Sequence, residues 1–346
     1  MERAAIGRHV EGTGGLGRAR RSAVGGVPAV SAVVPISSTV LVGAITGVLG
    51  VSYAAYAVTQ PRKAKLLGRR TAKMMSAVIA FWALFAVSIV FEMVGTGNAV
   101  PSATTIVAGA GALALTWCGS WFMNDVFDRE TDEHASPHRA TAQGELTDRE
   151  AFVAAVVLWI AGGGFAAAIN LYAVAGAIWM IVINVLYSVP PIRLKGGVVT
   201  SMVSAGLMGV AGVLLGSAAV VDAPTTESTR LAAVVFLFMA LNMSYKDLKD
   251  AEHDAKSGVE NFVVKVGRER ATKYLMVSFP VSYVAGGVLL GVADPLALAG
   301  FLVLGIVASG VLYVFDTSTV STLYRIDIVN AVYLLALMGA YAGVYV

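Results

Sequence analysis

The sequence predicts an all-α, polytopic membrane protein, a helix bundle that crosses the lipid bilayer many times. Three observations support this fold class. Of the 346 residues, 57% are hydrophobic and only 14% are charged, whereas a soluble domain carries about 25% charged residues. The mean hydropathy is +0.74. Apolar runs close to 20 residues long, the length that an α-helix needs to span a bilayer, recur along the chain.

Ten segments meet this length criterion and are predicted to be helices. They lie at 40–59, 75–94, 103–122, 152–170, 172–188, 199–221, 231–246, 273–292, 295–315 and 326–345. Residues 1–35 are polar, Gly-rich and Arg-bearing, a composition that predicts a disordered tail. The run 152–188 is divided only at Asn170-Leu171, so a single polar break marks the hairpin there.

The basic residues predict which connections face the cytoplasm. The segment 59–73 holds six Lys/Arg and no acid, and 246–273 holds seven Lys/Arg; such connections stay on the cytoplasmic side. This rule places 59–74, 123–151, 189–198, 246–273 and 315–326 in the cytoplasm. If helix 40–59 crosses, the arginine-bearing N-terminus lies outside, so that helix is either an added span or does not cross. We expect a prokaryotic cell membrane, although the Arg-rich leader also fits an organelle targeting peptide.

Two acidic clusters share one spacing. The first is Asp125, Asp128 and Asp132, preceded by Asn124 (the first motif), and the second is Asp247, Asp250 and Asp254 (the second motif). On a helix, a three-then-four spacing keeps three carboxylates within a sector of roughly 60°. Each cluster extends an apolar helix, and four predicted helices separate them, so both are expected on one side. The two halves of the chain therefore resemble a diverged internal repeat.

Six carboxylates at one mouth repel each other, and a hard divalent cation relieves that repulsion. Mg²⁺ takes one or two carboxylates and fills its octahedron with water and phosphate oxygens. Two facing acidic arrays therefore predict a diphosphate site with Mg²⁺. Basic side chains are available on the same side to complete it: Arg139, Arg193, Lys195, Lys246 and Lys249.

Other readings of these residues are weaker. A single acid at a helix end is usually only solvated, but the matched doubled spacing argues against that explanation here. Neither cluster has the Gly and Glu of a calcium EF-hand loop. His134 and His138 are spaced as zinc ligands could be, but Pro137 between them disfavours a helix. The net charge of +3 gives no indication of a nucleic-acid partner, and the lone Cys118 excludes an internal disulfide.

The two motifs and the segment YSVPPIRLKGG (187–197) resemble the UbiA superfamily of intramembrane prenyltransferases. The resemblance covers about residues 75–346 and leaves 36–74 as an extra N-terminal hydrophobic segment with a basic loop. It implies nine core transmembrane helices around a central cavity, and the segment 40–59 would be a possible extra N-terminal helix outside that core. It also implies Mg²⁺-dependent transfer of a prenyl group from an isoprenyl diphosphate, with the motifs on cytoplasmic cap loops.

The resemblance also implies residue roles. One Mg²⁺ would be held by Asn124, Asp125, Asp128 and Asp132, and a second by Asp250 and Asp254 with Asp247 beside them. The diphosphate would contact Arg139, Arg193, Lys195 and Lys246, and Tyr187 matches a cavity tyrosine. Asp128, Asp250, Asp254 and Tyr187 are thereby expected to be catalytic.

The chain departs from the common family pattern in three places. Arg139 lacks the proline that usually follows it, and Asn261 stands where threonine is common. Tyr187 lies eight residues before Lys195, where many members have Tyr-x-x-x-Lys. This form is more similar to the branch with chlorophyll synthases and archaeal geranylgeranylglyceryl phosphate enzymes.

The predicted function is therefore prenyl transfer from a polyprenyl diphosphate to a lipophilic acceptor: an aromatic or quinone precursor, a pigment or a lipid alcohol. A UbiA-type terpene cyclase is the related alternative, in which the cation is attacked by its own tail. A divalent-cation transporter or channel is disfavoured because nearly all acids lie at helix ends or in loops. The sequence gives no indication of prenyl chain length or oligomeric state.

Overall fold

The computed structural model describes residues 37–135, 139–256 and 260–345. The predicted disordered tail at 1–35 and His138 lie outside these ranges. The α-helices are α1 (Ser38–Thr59), α2 (Pro61–Thr96), α3 (Ala103–Phe127), α4 (Arg129–Ala135), α5 (Asp148–Ala167), α6 (Leu171–Ser188), α7 (Val198–Ala218), α8 (Thr226–Asn242), α9 (Ala251–Lys256), α10 (Phe262–Val266), α11 (Arg268–Leu289), α12 (Pro295–Val314) and α13 (Val320–Tyr345). Two 3₁₀ helices, Leu194–Gly196 and Met243–Asp247, complete the regular structure of these ranges.

Each of the ten predicted segments coincides with one long helix, which confirms the all-α, polytopic fold class. Among the described residues, nine helices are long and apolar enough to cross a membrane. The remaining predicted segment, 273–292, corresponds to α11, whose hydropathy is lowered by polar residues. Ser278 and Ser282 lie on its buried side, and Ser278 donates to Asn242 Oδ1 of α8 at 2.8 Å.

The predicted basic loop at 59–74 is wrong, because α2 already begins at Pro61 and runs for 36 residues. Proline is favoured at the first helical position, and the following Arg, Lys, Ala and Leu residues are good helix formers. Only Gln60 separates α1 from α2. The basic segment is therefore a rigid extension of a membrane-length helix.

The extra N-terminal helix α1 runs the full depth of the bundle. Near its start, Thr39 Oγ1 lies 3.4 Å from Thr104 Oγ1 at the beginning of α3. Near its end, the Tyr53 hydroxyl donates to the carbonyl oxygen of Ala64 at the beginning of α2, at 2.9 Å. Since α2 and α3 begin at opposite ends of the bundle, α1 extends from one end to the other. This geometry favours an added span over a helix that does not cross.

Polar contacts join neighbouring helices at the end of the bundle where α3 begins. The buried Glu92 of α2 accepts from Thr225 Oγ1 at 2.8 and 3.0 Å. Thr225 is the N-cap of α8, so the carboxylate also lies near the positive end of that helix dipole. The Asn170 amide donates to the carbonyl oxygen of Ala218 at 2.9 Å and joins the start of α6 to the end of α7. Long helices thus alternate in direction, as predicted.

Gly305 of α12 allows close packing against the backbone of α11. A Cβ on Gly305 would lie 2.4 Å from Pro280 Cα and 2.7 Å from its nitrogen, both backbone atoms. We expect Gly305→Ala to destabilise the protein by about 1–3 kcal/mol, as overpacking does, and to lower its melting temperature in detergent. Gly310→Ala, on the same helix, is the matched control because a Cβ there meets nothing within 4 Å. Equal melting temperatures for the two variants would contradict this packing.

Candidate active site

The first motif lies where α3 ends. Asn124 and Asp125 occupy its last turn, and Asp128 caps it. Asp132 lies in α4, and its backbone N–H donates to the carbonyl oxygen of Asp128 at 2.7 Å. The nearly continuous helical backbone keeps the predicted three-then-four spacing on one side of the chain.

The connection between α6 and α7 brings cations to this motif. Lys195 Nζ donates to Asn124 Oδ1 at 3.0 Å and also to Asp128 Oδ1. Arg193 Nη2 donates to the same Asp128 oxygen at 3.0 Å, and Ser188 Oγ donates to Asn124 Oδ1 at 2.9 Å. Arg193 reaches this position with a φ of 38°, in the left-handed region that non-glycine residues rarely adopt. Such backbone strain is typical of functional sites.

The other two carboxylates of the first motif are buried beside arginines. Asp125 is 2% exposed and Asp132 is 5% exposed. Arg139 Nη1 donates to Asp132 Oδ2 and lies 3.4 Å from Asp125 Oδ1. Arg70 of α2 donates two hydrogen bonds to the carboxylate of Asp125, from Nε at 2.7 Å and from Nη2 at 2.5 Å.

The second motif follows α8 through the 3₁₀ helix that ends at Asp247. The backbone N–H of Asp254 donates to the carbonyl oxygen of Asp250 at 2.8 Å. The Asp254 carboxylate accepts from Asn261 Nδ2 at 2.8 Å, so the residue that departs from the family pattern holds a motif carboxylate. Asp250 is half exposed and accepts from Lys249. Lys246 places its ammonium 5.7 Å from the Tyr245 ring centroid.

Tyr187 lies at the end of α6, near Asp128 of the first motif and near Asp247 and Asp254 of the second. The helices that lead to the two motifs, α3 and α8, both begin at the end of the bundle where Glu92 contacts Thr225. Both motifs therefore lie together at one end of the bundle. This is the end opposite to the contact between Glu92 and Thr225.

Burial disfavours the charged form of several groups at this mouth. It raises the pKa of the Asp132 carboxyl, although the neighbouring Arg139 opposes that shift. It likewise raises the pKa of Asp254, against the hydrogen bond from Asn261, and it lowers the pKa of the Lys195 ammonium, against the attraction of Asp128. A cation bound at the carboxylates and an anion bound at the lysine would compensate this loss of hydration.

The donor set fits Mg²⁺, because the two motifs offer only oxygen ligands from carboxylates and one amide. Within the described ranges, no three acidic, histidine or cysteine side chains converge into a ready-made metal cage. Mg²⁺ needs no such cage, since it binds through one or two carboxylates plus substrate phosphates. Each motif thus offers carboxylate oxygens with basic side chains beside them, Lys195 and Arg193 at the first motif and Lys249 at the second.

Sequence reasoning missed Arg70 and Ser188. In the sequence, Arg70 stands out only as one of the basic residues that indicate the cytoplasmic side of the membrane. Its signal is its position, because it lies in helical register with the buried Met74, Val78 and Phe81 on the inward face of α2. Ser188 follows Tyr187 directly and had no distinguishing pattern.

Fold and site together define a polytopic helical membrane protein with two acidic motifs and basic side chains at one mouth. The profile of the UbiA prenyltransferase family matches residues 85–326. The chain therefore belongs to the UbiA prenyltransferase family, and it is an enzyme of the prenyl-transferring class. This result confirms the resemblance seen in the motifs, and it favours the enzyme over the transporter.

Two relatives illustrate the range of the family. Digeranylgeranylglyceryl phosphate synthase of Halobacterium salinarum is 29% identical over 197 residues, which cover 55% of this chain and 70% of that protein. The bacteriochlorophyll synthase 34 kDa chain of Chloroflexus aurantiacus is 28% identical over 172 residues, which cover 49% of this chain and 54% of that protein.

Solved structures share the fold. A UbiA homologue from Archaeoglobus fulgidus, bound to GPP and Mg²⁺, aligns with a TM-score of 0.61 at 19% identity and covers 79% of this chain and 99% of its own. A UbiA homologue from Aeropyrum pernix K1 aligns with a TM-score of 0.53 at 17% identity, covering 77% of this chain and 98% of its own. The family match begins only at residue 85, so α1 and the first two thirds of α2, residues 61–84, precede it.

Proposed function

We propose that this enzyme transfers an isoprenyl group from a polyprenyl diphosphate to a lipophilic acceptor at the mouth around Tyr187, in a Mg²⁺-dependent reaction. The observation that carries the proposal is that both aspartate motifs lie at one end of the bundle near Tyr187, with Lys195 and Arg193 on Asp128 of the first motif. A diphosphate site needs both carboxylates and basic side chains. The carboxylates hold the metal ions that bind some diphosphate oxygens, and hydrogen-bond donors bind the remaining oxygens.

Asn124, Asp128 and Asp132 are the proposed ligands of one Mg²⁺, and Asp250 and Asp254 those of a second, with Asp247 beside them. When bound, Mg²⁺ neutralises the diphosphate and stabilises it as a leaving group. Asp125 belongs to the first motif, but both of its oxygens are engaged by Arg70. The A. fulgidus homologue with GPP and Mg²⁺ supports this chemistry.

The basic side chains hold the leaving group. Lys195 and Arg193 donate to Asp128 in the structure, and a diphosphate between the motifs gives their remaining N–H groups oxygen partners. Arg139, which donates to Asp132, and Lys246, which directly precedes Asp247, are the proposed further donors. These donors stabilise the negative charge that develops as the C1–O bond breaks.

Aromatic side chains of α2 and α3 pack against one another on the approach to the first motif, and they are the proposed wall of the prenyl site. The rings of Phe81 and Trp117 lie 4.2 Å apart, and those of Trp117 and Trp121 lie 6.1 Å apart. Such a wall buries the prenyl tail, at about 0.8 kcal/mol per CH₂. Its π faces stabilise an allylic cation, and its apolar surface excludes the water that would quench that cation.

The proposed acceptor is the hydroxyl group of a lipid alcohol, whose oxygen bonds to C1 of the prenyl group as the diphosphate leaves and whose proton is released to the diphosphate or to water. The support is the set of digeranylgeranylglyceryl phosphate synthases among the relatives, such as that of H. salinarum. The Tyr187–Lys195 spacing is similar to that of the branch that holds both these archaeal enzymes and chlorophyll synthases. The basic connections further support placing the site on the cytoplasmic side, in which case Ser37 and the start of α1 face outward.

An acceptor panel tests this proposal. Purified protein is incubated with Mg²⁺, geranylgeranyl diphosphate and one acceptor at a time: a glyceryl phosphate lipid alcohol, a chlorophyllide or an aromatic acid. We expect mass spectrometry to show one prenyl group added to the lipid alcohol. Addition only to the aromatic acid would contradict the proposed acceptor, and a cyclised hydrocarbon formed without any acceptor would identify the cyclase instead.

A further inference from the structure

We propose that Arg70 is a positioning residue for the first motif, and that α1 with residues 61–84 of α2 forms an N-terminal arm that holds this motif in place. The arm precedes the part of the chain that the family profile matches. In this account Asp125 anchors the motif to the arm, whereas Asn124, Asp128 and Asp132 face the ligand. The inference rests on the proposed metal and diphosphate site.

The contact between Arg70 and Asp125 is a bidentate ion pair. Arg70 Nε donates to Oδ2 at 2.7 Å and Nη2 donates to Oδ1 at 2.5 Å. The two side chains are only 10% and 3% exposed. Arg139 lies a further 3.4 Å from Oδ1. Both oxygens of Asp125 are thus engaged by guanidinium groups, which leaves this carboxylate poorly disposed to bind a metal and well disposed to fix the backbone around it.

Arg70 is itself held firmly from two sides. It lies in register with Met74 and Val78, which are fully buried on the inward face of α2, so its direction is set by the packing of that helix. Its guanidinium also lies 5.2 Å from the ring centroid of Trp121, a cation–π contact. Trp121 and Asp125 are one turn apart on α3. Arg70 therefore binds a whole turn of α3 directly before Asp128.

The arm is attached again on the other side of the first motif. Lys63 donates to Glu150, and Arg62 donates to Glu145, in the segment that leads from the motif into α5. The ion pair of Arg62 with Glu145 is exposed and contributes little to stability, whereas the ion pair of Lys63 with Glu150 is partly buried. The hydroxyl of Tyr53 in α1 donates a hydrogen bond to the carbonyl oxygen of Ala64, which lies next to Lys63 in the chain. The arm thus contacts the chain both before and after Asp128 and Asp132.

Loss of Arg70 should act on the ligand site through Arg139. Without Arg70, the buried Asp125 keeps only Arg139 as a partner at 3.4 Å. The unpaired charge would draw Arg139 away from Asp132 and shift the last turn of α3. We therefore expect the effect to fall on metal and donor affinity, since changes in outer-shell partners typically weaken metal binding by about 10- to 100-fold.

Four variants test the proposal: Arg70→Gln, Arg70→Lys, Asp125→Asn, and the double variant Arg70→Gln/Asp125→Asn. Arg69→Gln is the matched control, because Arg69 is the neighbouring residue, is exposed, and has no ion pair among the described residues. Three quantities are measured: the kcat and KM for the donor, the Mg²⁺ concentration for half-maximal rate, and Mn²⁺ binding followed by electron paramagnetic resonance without turnover.

We expect Arg70→Gln to weaken Mn²⁺ binding and raise the half-maximal Mg²⁺ concentration by about tenfold or more, while Arg69→Gln matches the wild type. Arg70→Lys keeps the positive charge but loses the planar guanidinium that binds both oxygens of Asp125. Its metal affinity should therefore lie between those of Arg70→Gln and the wild type. Asp125→Asn should reproduce Arg70→Gln, and the double variant should be no worse than either single variant, because the two residues act as one unit.

Two results would overturn the inference. One is a lower melting temperature for Arg70→Gln and Arg70→Lys with unchanged metal affinity, which would show a purely structural pair. The other is a much larger loss of metal binding in Asp125→Asn than in Arg70→Gln, which would make Asp125 a direct ligand. Failure of the proposed function is distinguishable, because in that case Asp128→Asn would retain turnover and Mn²⁺ binding.

Discussion

Asp128→Asn is expected to abolish prenyl transfer and to leave the protein folded. Asp128 is the carboxylate on which Lys195 and Arg193 converge, and Tyr187 lies near both Asp128 and the second motif. Asparagine keeps the shape but removes the negative charge that a metal and these cations require. Loss of one such charge-stabilising group lowers turnover by about 100- to 1000-fold. The fold should persist because the residue only caps α3 at the mouth of the bundle.

The measurement is product formation by mass spectrometry together with the melting temperature in detergent. Glu133→Gln is the matched control, since Glu133 lies on the adjacent α4, is exposed, and pairs only weakly with Arg129 at 3.8 Å. The control should keep wild-type activity, and EDTA should abolish turnover of the wild-type protein until Mg²⁺ is restored. Substantial turnover by Asp128→Asn, or wild-type turnover that persists in EDTA, would contradict the metal site.

The second large effect is expected from Lys195→Met, which removes an ammonium that contacts Asn124 at 3.0 Å and also contacts Asp128. Methionine fills a similar volume, so the change is mainly one of charge. We expect kcat to fall by about 100-fold, in the range for loss of one donor to a developing anion. Arg193 still neutralises Asp128, so the melting temperature should change little.

Steady-state kinetics of Lys195→Met and Lys265→Met make this comparison. Lys265 pairs with Glu260 at 2.9 Å in a more exposed position, so its replacement should leave kcat unchanged. Lys195→Arg should recover part of the rate because it restores the charge. A kcat for Lys195→Met that equals the wild-type value would place the leaving group away from Asn124 and Asp128.

The membrane helices could be predicted from the sequence because hydropathy is a local property. An apolar run such as 103–122 needs no knowledge of its neighbours to be recognised, and α3 covers all of it. The helical form of the basic segment could not be predicted in the same way. A run of charged residues indicates a connection between membrane helices, but it does not distinguish a coil from a helix. Its helical form depends on the inward residues Met74 and Val78, which continue the buried face of α2.

The grouping of the motifs could also be predicted, but the different environments of their carboxylates could not. Asp125 and Asp128 belong to one regular spacing, yet one is gripped by Arg70 and the other by Lys195 and Arg193. These partners lie 55 to 67 residues away along the chain. Local spacing carries no information about such contacts, which depend on how the helices pack.

The central claim is that both motifs bind one diphosphate through shared metal ions. The most direct test is a structure with Mn²⁺ and a non-hydrolysable isoprenyl thiodiphosphate, in which anomalous scattering locates the ions. The account predicts Mn²⁺ between the diphosphate and both Asp128 and Asp254, with Lys195 on the same diphosphate. Ions at only one motif, with the diphosphate out of reach of the other, would contradict it.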